Sequence, residues 1–361
     1  MKNHFDYIIT GMGCAGLSLA VHMVKSGALN DKTMLLIDHD EKNKNDRTWC
    51  FWEQEEGFFE TLVYRKWNQL EVSKDKECVH LNINPFSYKL IRGLDFYNYC
   101  LDILSKQSNC FFLNAKVDKI IPGDDKSSVI SGDKTFTCEY VFNSILFNKP
   151  ELRNNEYLLL QHFKGWLIKS DEPVFDTNVA RLMDFRTPQE HGTAFVYTLP
   201  FANNEALVEY TVFSEKILPD HEYDLALQKY LEENLTLRSY NIIDKEFGVI
   251  PMTNHKFPAH DKNVINIGTA GGQTKGSTGY TFRFIQKQSA QIVQQLIKKE
   301  FPSGAADSQR HRFYDSVLLH ILKNRSLEGS DIFMHLWKKN TPQKVFKFLD
   351  NETTLFEELL I

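Results

Sequence analysis

The segment Phe5-Asp6-Tyr7-Ile8-Ile9-Thr10-Gly11-Met12-Gly13-Cys14-Ala15-Gly16 decides how the chain begins to fold. Its first six residues form a largely apolar run of strand length, and the glycines follow at once. Leu17, Ala20, Val21 and Val24 then recur at helical spacing as far as Gly27, a residue type that closes helices in the left-handed conformation. A second apolar run, Thr33 to Ile37, ends in Asp38. Strand, glycine turn, helix, strand and terminal acid stand in the order of a dinucleotide-binding βαβ unit. Gly11 permits the tight turn, Gly13 lets backbone N–H groups approach a pyrophosphate, and Gly16 lets the helix lie close on the strand. The whole turn, Cys14 and Ala15 included, is expected to hold the cofactor, with Asp38 accepting hydrogen bonds from ribose hydroxyls.

Beyond this unit, Tyr88 to Leu104 reads as a strand end, a turn and an amphipathic helix. Val117–Ile121 and Phe136–Phe142 are strand candidates of a small meander, while Asp40–Asp46 and Gly123–Ser131 are polar enough for exposed loops. The runs His162–Lys169, Val179–Phe185, Ala194–Leu199 and Ala206–Phe213 follow one another as strands, which points to an antiparallel sheet and a second domain. Val264–Gly268 is again a buried strand, Thr269–Gly279 a glycine-rich loop and Tyr280–Lys299 a long helix. The first domain is therefore expected to be discontinuous, 1–145 with 250–300, around a substrate-binding sheet domain at 150–249. A C-terminal helical segment, 301–361, closes the chain. Its stretches Ile332–Pro342 and Val345–Leu349 mix aromatic residues with lysines, a pattern of packed helices with a solvated face or of a patch in a membrane interface.

Composition narrows the function classes. In a chain of 361 residues, 42 Lys and Arg against 47 Asp and Glu leave a net charge of −5, which lacks the basic footprint of a nucleic-acid binder. The six cysteines form no C-x-x-C pair and have no neighbouring histidines at zinc spacing, so no metal site is expected and the thiols read as reduced, in a cytosolic protein. No apolar stretch reaches the ~18 residues of a membrane span, and any meeting with a bilayer is expected at its surface.

Several segments together are similar to the flavin-dependent lycopene cyclases of carotenoid-making bacteria. They are Gly11 to Gly16, Arg47-Thr48-Trp49-Cys50-Phe51-Trp52-Glu53, Leu160 to Trp166, Met183-Asp184-Phe185-Arg186, Leu207-Val208-Glu209-Tyr210-Thr211, Ile250-Pro251-Met252, Gly268 to Phe282 and Phe346 to Thr353. The resemblance implies an α/β fold: a Rossmann-like FAD domain of the flavoprotein hydroxylase and geranylgeranyl reductase type, interleaved with the antiparallel substrate sheet. It further implies redox-neutral conversion of lycopene to β-carotene through γ-carotene by an intramolecular lyase, with reduced FAD maintained by NADPH or NADH. The enzyme is expected to be peripheral on the inner face of the cell membrane.

The same resemblance assigns residues. Glu209 matches the family's acid near the ring-forming end of the substrate; burial and an anionic reduced flavin would both favour its neutral form. Arg47, Thr48, Trp49 and Arg92 are expected at the cofactor, together with Gly268, Ala270, Gly271 and Gly272, whose amides can reach flavin phosphates. Thr269 stands where related hydroxylases carry an aspartate, so the acidic ribityl contact has no candidate. Phe51, Trp52, His162, Trp166, Asp184, Arg186 and Tyr210 are expected to line the substrate site or support it.

Structural readings stand beside these. Three aromatic residues in a row fill a core equally well, and a histidine on an apolar strand fits a hydrogen-bonded core position better than a catalytic base. Asp184 and Arg186, alternate residues on one strand, share a face and can simply pair with each other. Two other activities use the same cofactor fold: a flavin reductase or hydroxylase acting on an isoprenoid, and a carotenoid-binding protein that keeps FAD as a structural element.

Overall fold

A computed structural model describes residues 2–303, 309–359 and 361. Residues 304–308 and 360 of the expected C-terminal segment lie outside the described residues. From the N-terminus, β1 (His4–Thr10) leads through the glycine turn into α1 (Cys14–Ser26) and β2 (Met34–Asp38). Then come β3 (Thr48–Glu53), β4 (Arg65–Trp67), β5 (Gln69–Lys74), β6 (Glu77–Asn82), β7 (Ser87–Arg92) and α2 (Gly93–Ser105). β8 (Cys110–Asn114), β9 (Lys119–Ile121), β10 (Ser127–Ser131) and β11 (Lys134–Asn143) precede the long strands β12 (Leu158–Ser170), β13 (Val179–Asp184), β14 (Thr193–Ala202) and β15 (Glu205–Ser214). The chain continues through α3 (Asp220–Glu233), β16 (Tyr240–Thr253), β17 (His260–Asp261), β18 (Val264–Asn266) and α4 (Phe282–Ile297). It ends in α5 (Gln309–Asn324), α6 (Gly329–Lys339), α7 (Pro342–Leu349) and α8 (Leu355–Glu358).

The first sheet runs β17-β18-β11-β1-β2-β8, with every pairing from β18 to β8 parallel. β18 arrives from more than a hundred residues downstream of β11, so the distant segment does complete this sheet. Parallel strands covered by helices are apolar throughout, as in the fully buried Met34 to Ile37. α1 lies on this sheet between α4 and α2. β10 replaces part of the exposed loop expected at Gly123–Ser131: the buried Ser127, Val129 and Ser131 alternate along it, and small hydroxyl residues hide that pattern.

The second sheet has the order β16-β12-β15-β14-β13-β5-β6. It takes two strands from within 1–145: β5 pairs in parallel with β13, so the expected division near 145–150 leaves out one edge of the substrate sheet. Period-two alternation sorts its side chains. On β15, Ala206, Val208, Tyr210 and Val212 pack with Tyr223, Leu227 and Tyr230 of α3, while Leu207 and Phe213 face the opposite way. That opposite face meets α5, α6 and α7, whose Leu319, Leu322, Phe333, Trp337, Val345 and Phe346 are core residues. The aromatic residues of Ile332–Pro342 and Val345–Leu349 that enter this core thus point inward. Among the described residues no helix is long and apolar enough to cross a membrane.

Candidate active site

A cavity of about 490 Å³ runs from the glycine turn of the first sheet to the inner face of the second. At its first end α1 starts with Gly13 as N-cap and no side chain caps the free N–H groups. A Cβ added to Gly13 would meet nothing within 4 Å, whereas one on Gly16 would lie 2.0 Å from the Gly11 carbonyl oxygen. Gly11 has a φ of 92°, open to glycine without strain. The turn is therefore an uncapped helix N-terminus with open space before it, suited to an anion. Gly13, Cys14, Ala15 and Gly268 line this end, and Arg47, Thr48 and Trp49 line the same cavity. Burial pushes the Cys14 thiol up to about 12, so it stays neutral there.

Other residues expected at the cofactor stand one layer back. Asp38 accepts from the Met12 backbone N–H at 2.6 Å and from the Asp40 N–H at 3.0 Å, with Lys42 Nζ 3.4 Å away, so in this structure it closes the turn. Ala270, Gly271 and Gly272 belong to the 3-10 turn after β18; an added Cβ at Gly271 would lie 2.2 Å from the Asn266 carbonyl oxygen. Arg92 is ion-paired to Asp95 at 2.6 Å and stacked on Tyr64; it faces a separate cavity.

The other end is built by sheet register. Gly165 of β12 stands opposite Glu209 of β15 on one side and opposite Glu246 of β16 on the other, and Glu209 in turn stands opposite Tyr197 of β14. Directly paired residues share a face, so both carboxyls lean over the glycine between them. Thr211 donates to Glu209 Oε1 at 2.8 Å and Thr48 donates to Glu246 Oε2 at 2.7 Å. Glu246 Oε1 is buried and lacks a donor unless Glu209 carries a proton. Burial, then the charge of Glu246, push the Glu209 carboxyl well above the usual carboxylate range. Glu246 is raised too, by burial, with hydrogen bonds from Thr48 and Glu209 opposing the rise. Two neighbouring buried carboxyls ionise together only at a cost, and the rise is the greater at Glu209.

Around Glu209 the wall is aromatic and hydroxylic. Tyr280 hydrogen-bonds Tyr88 at 3.1 Å and also Tyr197, and burial raises all three phenols, so they are neutral donors. Gln161 and Phe163, on the Gly165 side of β12, complete this end, and Gln161 Oε1 is buried without a donor. Such a wall can present an acid to a bound apolar molecule.

The expected substrate-lining residues are elsewhere. His162, Trp166 and Tyr210 lie on the α3 face of the second sheet, because each is one residue out of phase with Gly165 or Glu209. His162 bonds Tyr223 at 2.6 Å and Ser214 at 2.8 Å, and burial pulls its pKa down to about 4: a neutral core histidine. Asp184 is fully buried, held by Arg186 at 2.6 Å and by the Tyr230 hydroxyl at 2.7 Å, an internal pair away from the cavity. Phe51 stacks on Phe282 at 4.4 Å, and Trp52 stacks on Phe346 while donating to Asp350; both are core. Glu246, Tyr197 and Phe163 were not expected. Glu246 has no local signal, since it sits in the charged, exposed edge strand Tyr240–Thr253, and only the register over Gly165 brings it to Glu209.

A family model for "Lycopene cyclase protein" matches residues 6–361. Neoxanthin synthase, chloroplastic, of Solanum tuberosum is 27% identical over 309 residues, 77% of this chain and 58% of that protein. Capsanthin/capsorubin synthase, chromoplastic, of Capsicum annuum is 26% identical over 311 residues with the same shares. The chain thus spans 58% of the length of these curated relatives. Among solved structures, a flavoprotein/dehydrogenase from Cytophaga hutchinsonii has a TM-score of 0.63 at 12% identity, over 99% of this chain and 98% of that one. A geranylgeranyl bacteriochlorophyll reductase-like protein from Thermoplasma acidophilum has 0.61 at 11%, over 99% and 90%. At these identities the likeness is one of fold, the flavoprotein hydroxylase fold expected from the sequence. With the model matched over nearly the whole length, this chain belongs to the lycopene cyclase family.

Proposed function

We propose that the chain is a lycopene β-cyclase, an intramolecular lyase that closes β-ionone rings at the ends of lycopene to give β-carotene by way of γ-carotene. The observation that carries this reading is Glu209: a carboxyl kept neutral by burial, at the inner end of a cavity that begins at a dinucleotide turn. Membership of the family and the plant relatives, named for the synthesis of neoxanthin and of capsanthin/capsorubin, support a carotenoid as substrate.

The residues present fit FAD. The uncapped start of α1 and the open space at Gly13 suit its pyrophosphate, and the donorless Gln161 Oε1 can accept from an N–H of a bound group. When bound, reduced FAD supplies an electron-rich, negatively charged ring that stabilises nearby positive charge. Glu209 transfers its proton to the terminal carbon–carbon double bond, leaving a tertiary cation. The neighbouring double bond attacks it to close the six-membered ring, and loss of a ring proton restores neutrality. Tyr197 and Tyr280 keep the acid's surroundings polar but un-ionised, and Trp49 offers an aromatic face to positive charge at the cavity wall.

The reading includes NADPH or NADH as external reductant and a place on the cytoplasmic face of the membrane, where so apolar a substrate is dissolved. Leu355, Phe356 and Leu359, 61%, 71% and 85% exposed, are apolar groups available for such contact. The test is anaerobic incubation with lycopene, FAD and dithionite. β-Carotene formed without stoichiometric consumption of reductant supports the cyclase; a reduced or hydroxylated product supports a redox enzyme, and unchanged lycopene a binding protein.

A further inference from the structure

A second cavity, of about 250 Å³, adjoins the acidic pair. The two cavities have Thr48 and Leu207 in common as a dividing wall; Glu209 lines the first and Glu246 the second. Their characters differ. Near Glu209 the first is walled by tyrosine and leucine. The second carries Arg92, Lys245, Asp95, Asp244 and Glu205 besides Glu246, two cations against four carboxylates, and exposed Asp244 and Lys245 open it to solvent. It has room for several waters at ~30 Å³ each, and its charge draws cations rather than anions.

The reaction sets a conflict that this arrangement answers. Water beside a carbocation traps it as an alcohol, so the main chamber must stay dry. The ring loses its proton at a different carbon from the one that was protonated, and any turnover in which Glu209 does not recover that proton leaves it ionised. It must then be reloaded from somewhere. We propose that the second cavity is the proton-entry site: water in it protonates Glu246, which passes the proton over Gly165 to Glu209, while cofactor and substrate fill the main chamber. A hydronium ion gives its proton to the Glu246 carboxylate and leaves as water. Glu246 gives that proton to the Glu209 carboxylate and ends as the carboxylate it began as; no electrons or other groups move. Glu246 is in this account a positioning and relay residue, since it acts on the substrate only through Glu209.

The geometry carries the inference. Glu246 Oε2 is held by Thr48, and Oε1, buried without another donor, lies 3.2 Å from where a Cβ on Gly165 would stand. The charged groups about Glu246 are Arg47 from the segment before β3, Asp244 and Lys245 from its own strand, Arg92 and Asp95 from β7 and α2, and Glu205 and Glu209 from β15.

The proposal rests on Glu209 as the acid, and the test separates the two. In the full chain moved from H2O to D2O, infrared spectroscopy follows the carboxylic-acid carbonyl band that disappears in Glu209→Gln. Leu94→Trp fills the second cavity, and Glu246→Gln keeps the acceptor for Thr48 but cannot relay; burial, the larger cause, still holds Glu209 protonated. Both are expected to slow H/D exchange of the band by about tenfold or more, each factor of ten corresponding to ~1.4 kcal/mol of barrier. Leu146→Trp, at the wall of the main chamber, is expected to leave it unchanged. Should Leu94→Trp misfold by circular dichroism, Leu94→Phe replaces it. Exchange at the wild-type rate in both blocking variants, or slowing in Leu146→Trp alone, overturns the relay and spares the acid. Absence of a Glu209-dependent acid band at neutral pH overturns both.

Discussion

Glu209 and Glu246 stand on strands two apart in the second sheet, yet their carboxyls meet, because the residue between them is Gly165. Strands lie ~4.8 Å apart, so the two backbones are about 10 Å distant and any side chain at the middle position would fill the space the carboxyls share. The result is a carboxyl that burial and its neighbour hold well above the usual carboxylate range, with apolar and phenolic groups beside it.

Replacing Glu209 by Gln should lower the rate of cyclisation by about 10²–10⁴, the usual contribution of a positioned general acid. Stability gives an independent reading. The folded pKa lies above the unfolded value of about 4.3, so the folded wild type binds more protons than the unfolded chain in the interval between them. The wild type is therefore most favoured below about pH 4.3 and loses up to ~1.4 kcal/mol per pH unit per proton as pH rises towards the folded pKa. Glu246 adds a loss of the same sign, and the pair titrates with shared values. Glu209→Gln lacks its share, so its unfolding midpoint relative to wild type should climb with pH in calorimetry; a constant difference would contradict the neutral acid.

Gly165→Ala places a Cβ 2.9 Å from Glu246 Cγ and 3.1 Å from Leu207 Cδ1. The overpacking should cost about 1–3 kcal/mol. It should also separate the carboxyls and so lower the pKa of Glu209, so that the alkaline limb of the pH–rate profile, where the acid ionises, moves toward lower pH while the fold persists. Denaturant melts and pH–rate curves measure the two effects separately.

Gly13→Val and Gly16→Val should fail differently. A side chain at Gly13 meets only the open cavity, so the variant should lose bound FAD and its yellow colour yet unfold at the temperature of the FAD-free wild type. At Gly16 the Cβ would lie 2.0 Å from the Gly11 carbonyl oxygen and 3.0 Å from Ile9 Cγ2, so the β1–α1 packing itself should give way and the melting temperature fall. Flavin absorbance after gel filtration and a thermal scan distinguish them.

Trp52→Phe removes the bond from the indole N–H to Asp350 Oδ2, 2.9 Å long, and part of the stack on Phe346. Leaving a buried carboxylate one donor short should cost about 1–3 kcal/mol. Because Trp52 does not line the main chamber, product formed per folded molecule should stay within about twofold of wild type, well under the tenfold that 1.4 kcal/mol of barrier represents.

The strand, glycine turn, helix and strand of residues 5–38 and the long strands of the second sheet were legible from local pattern, since period and turn chemistry act between near neighbours. Glu209 came from resemblance to a family. Sidedness was harder: alternation says that Glu209 and Tyr210, or Gly165 and Trp166, face opposite ways, and only the packing of α3 against one face decided which of each pair meets the cavity. The Phe51 and Trp52 rings went to the core for the same reason, once Phe282 and Phe346 arrived from the far end of the chain.

By itself, then, the sequence determined the dinucleotide turn and the existence of an antiparallel sheet, properties carried by residues adjacent or alternate in the chain, while the acid on that sheet was read from resemblance to a family. The tertiary structure alone decided that β5 and β6 join that sheet, that Glu246 stands over Gly165 beside Glu209, and that the pair stands between two cavities, Glu209 lining one and Glu246 the other. Register between segments about forty to a hundred and ten residues apart is set by the burial of whole faces, an energy summed over many contacts and written in no short stretch of residues.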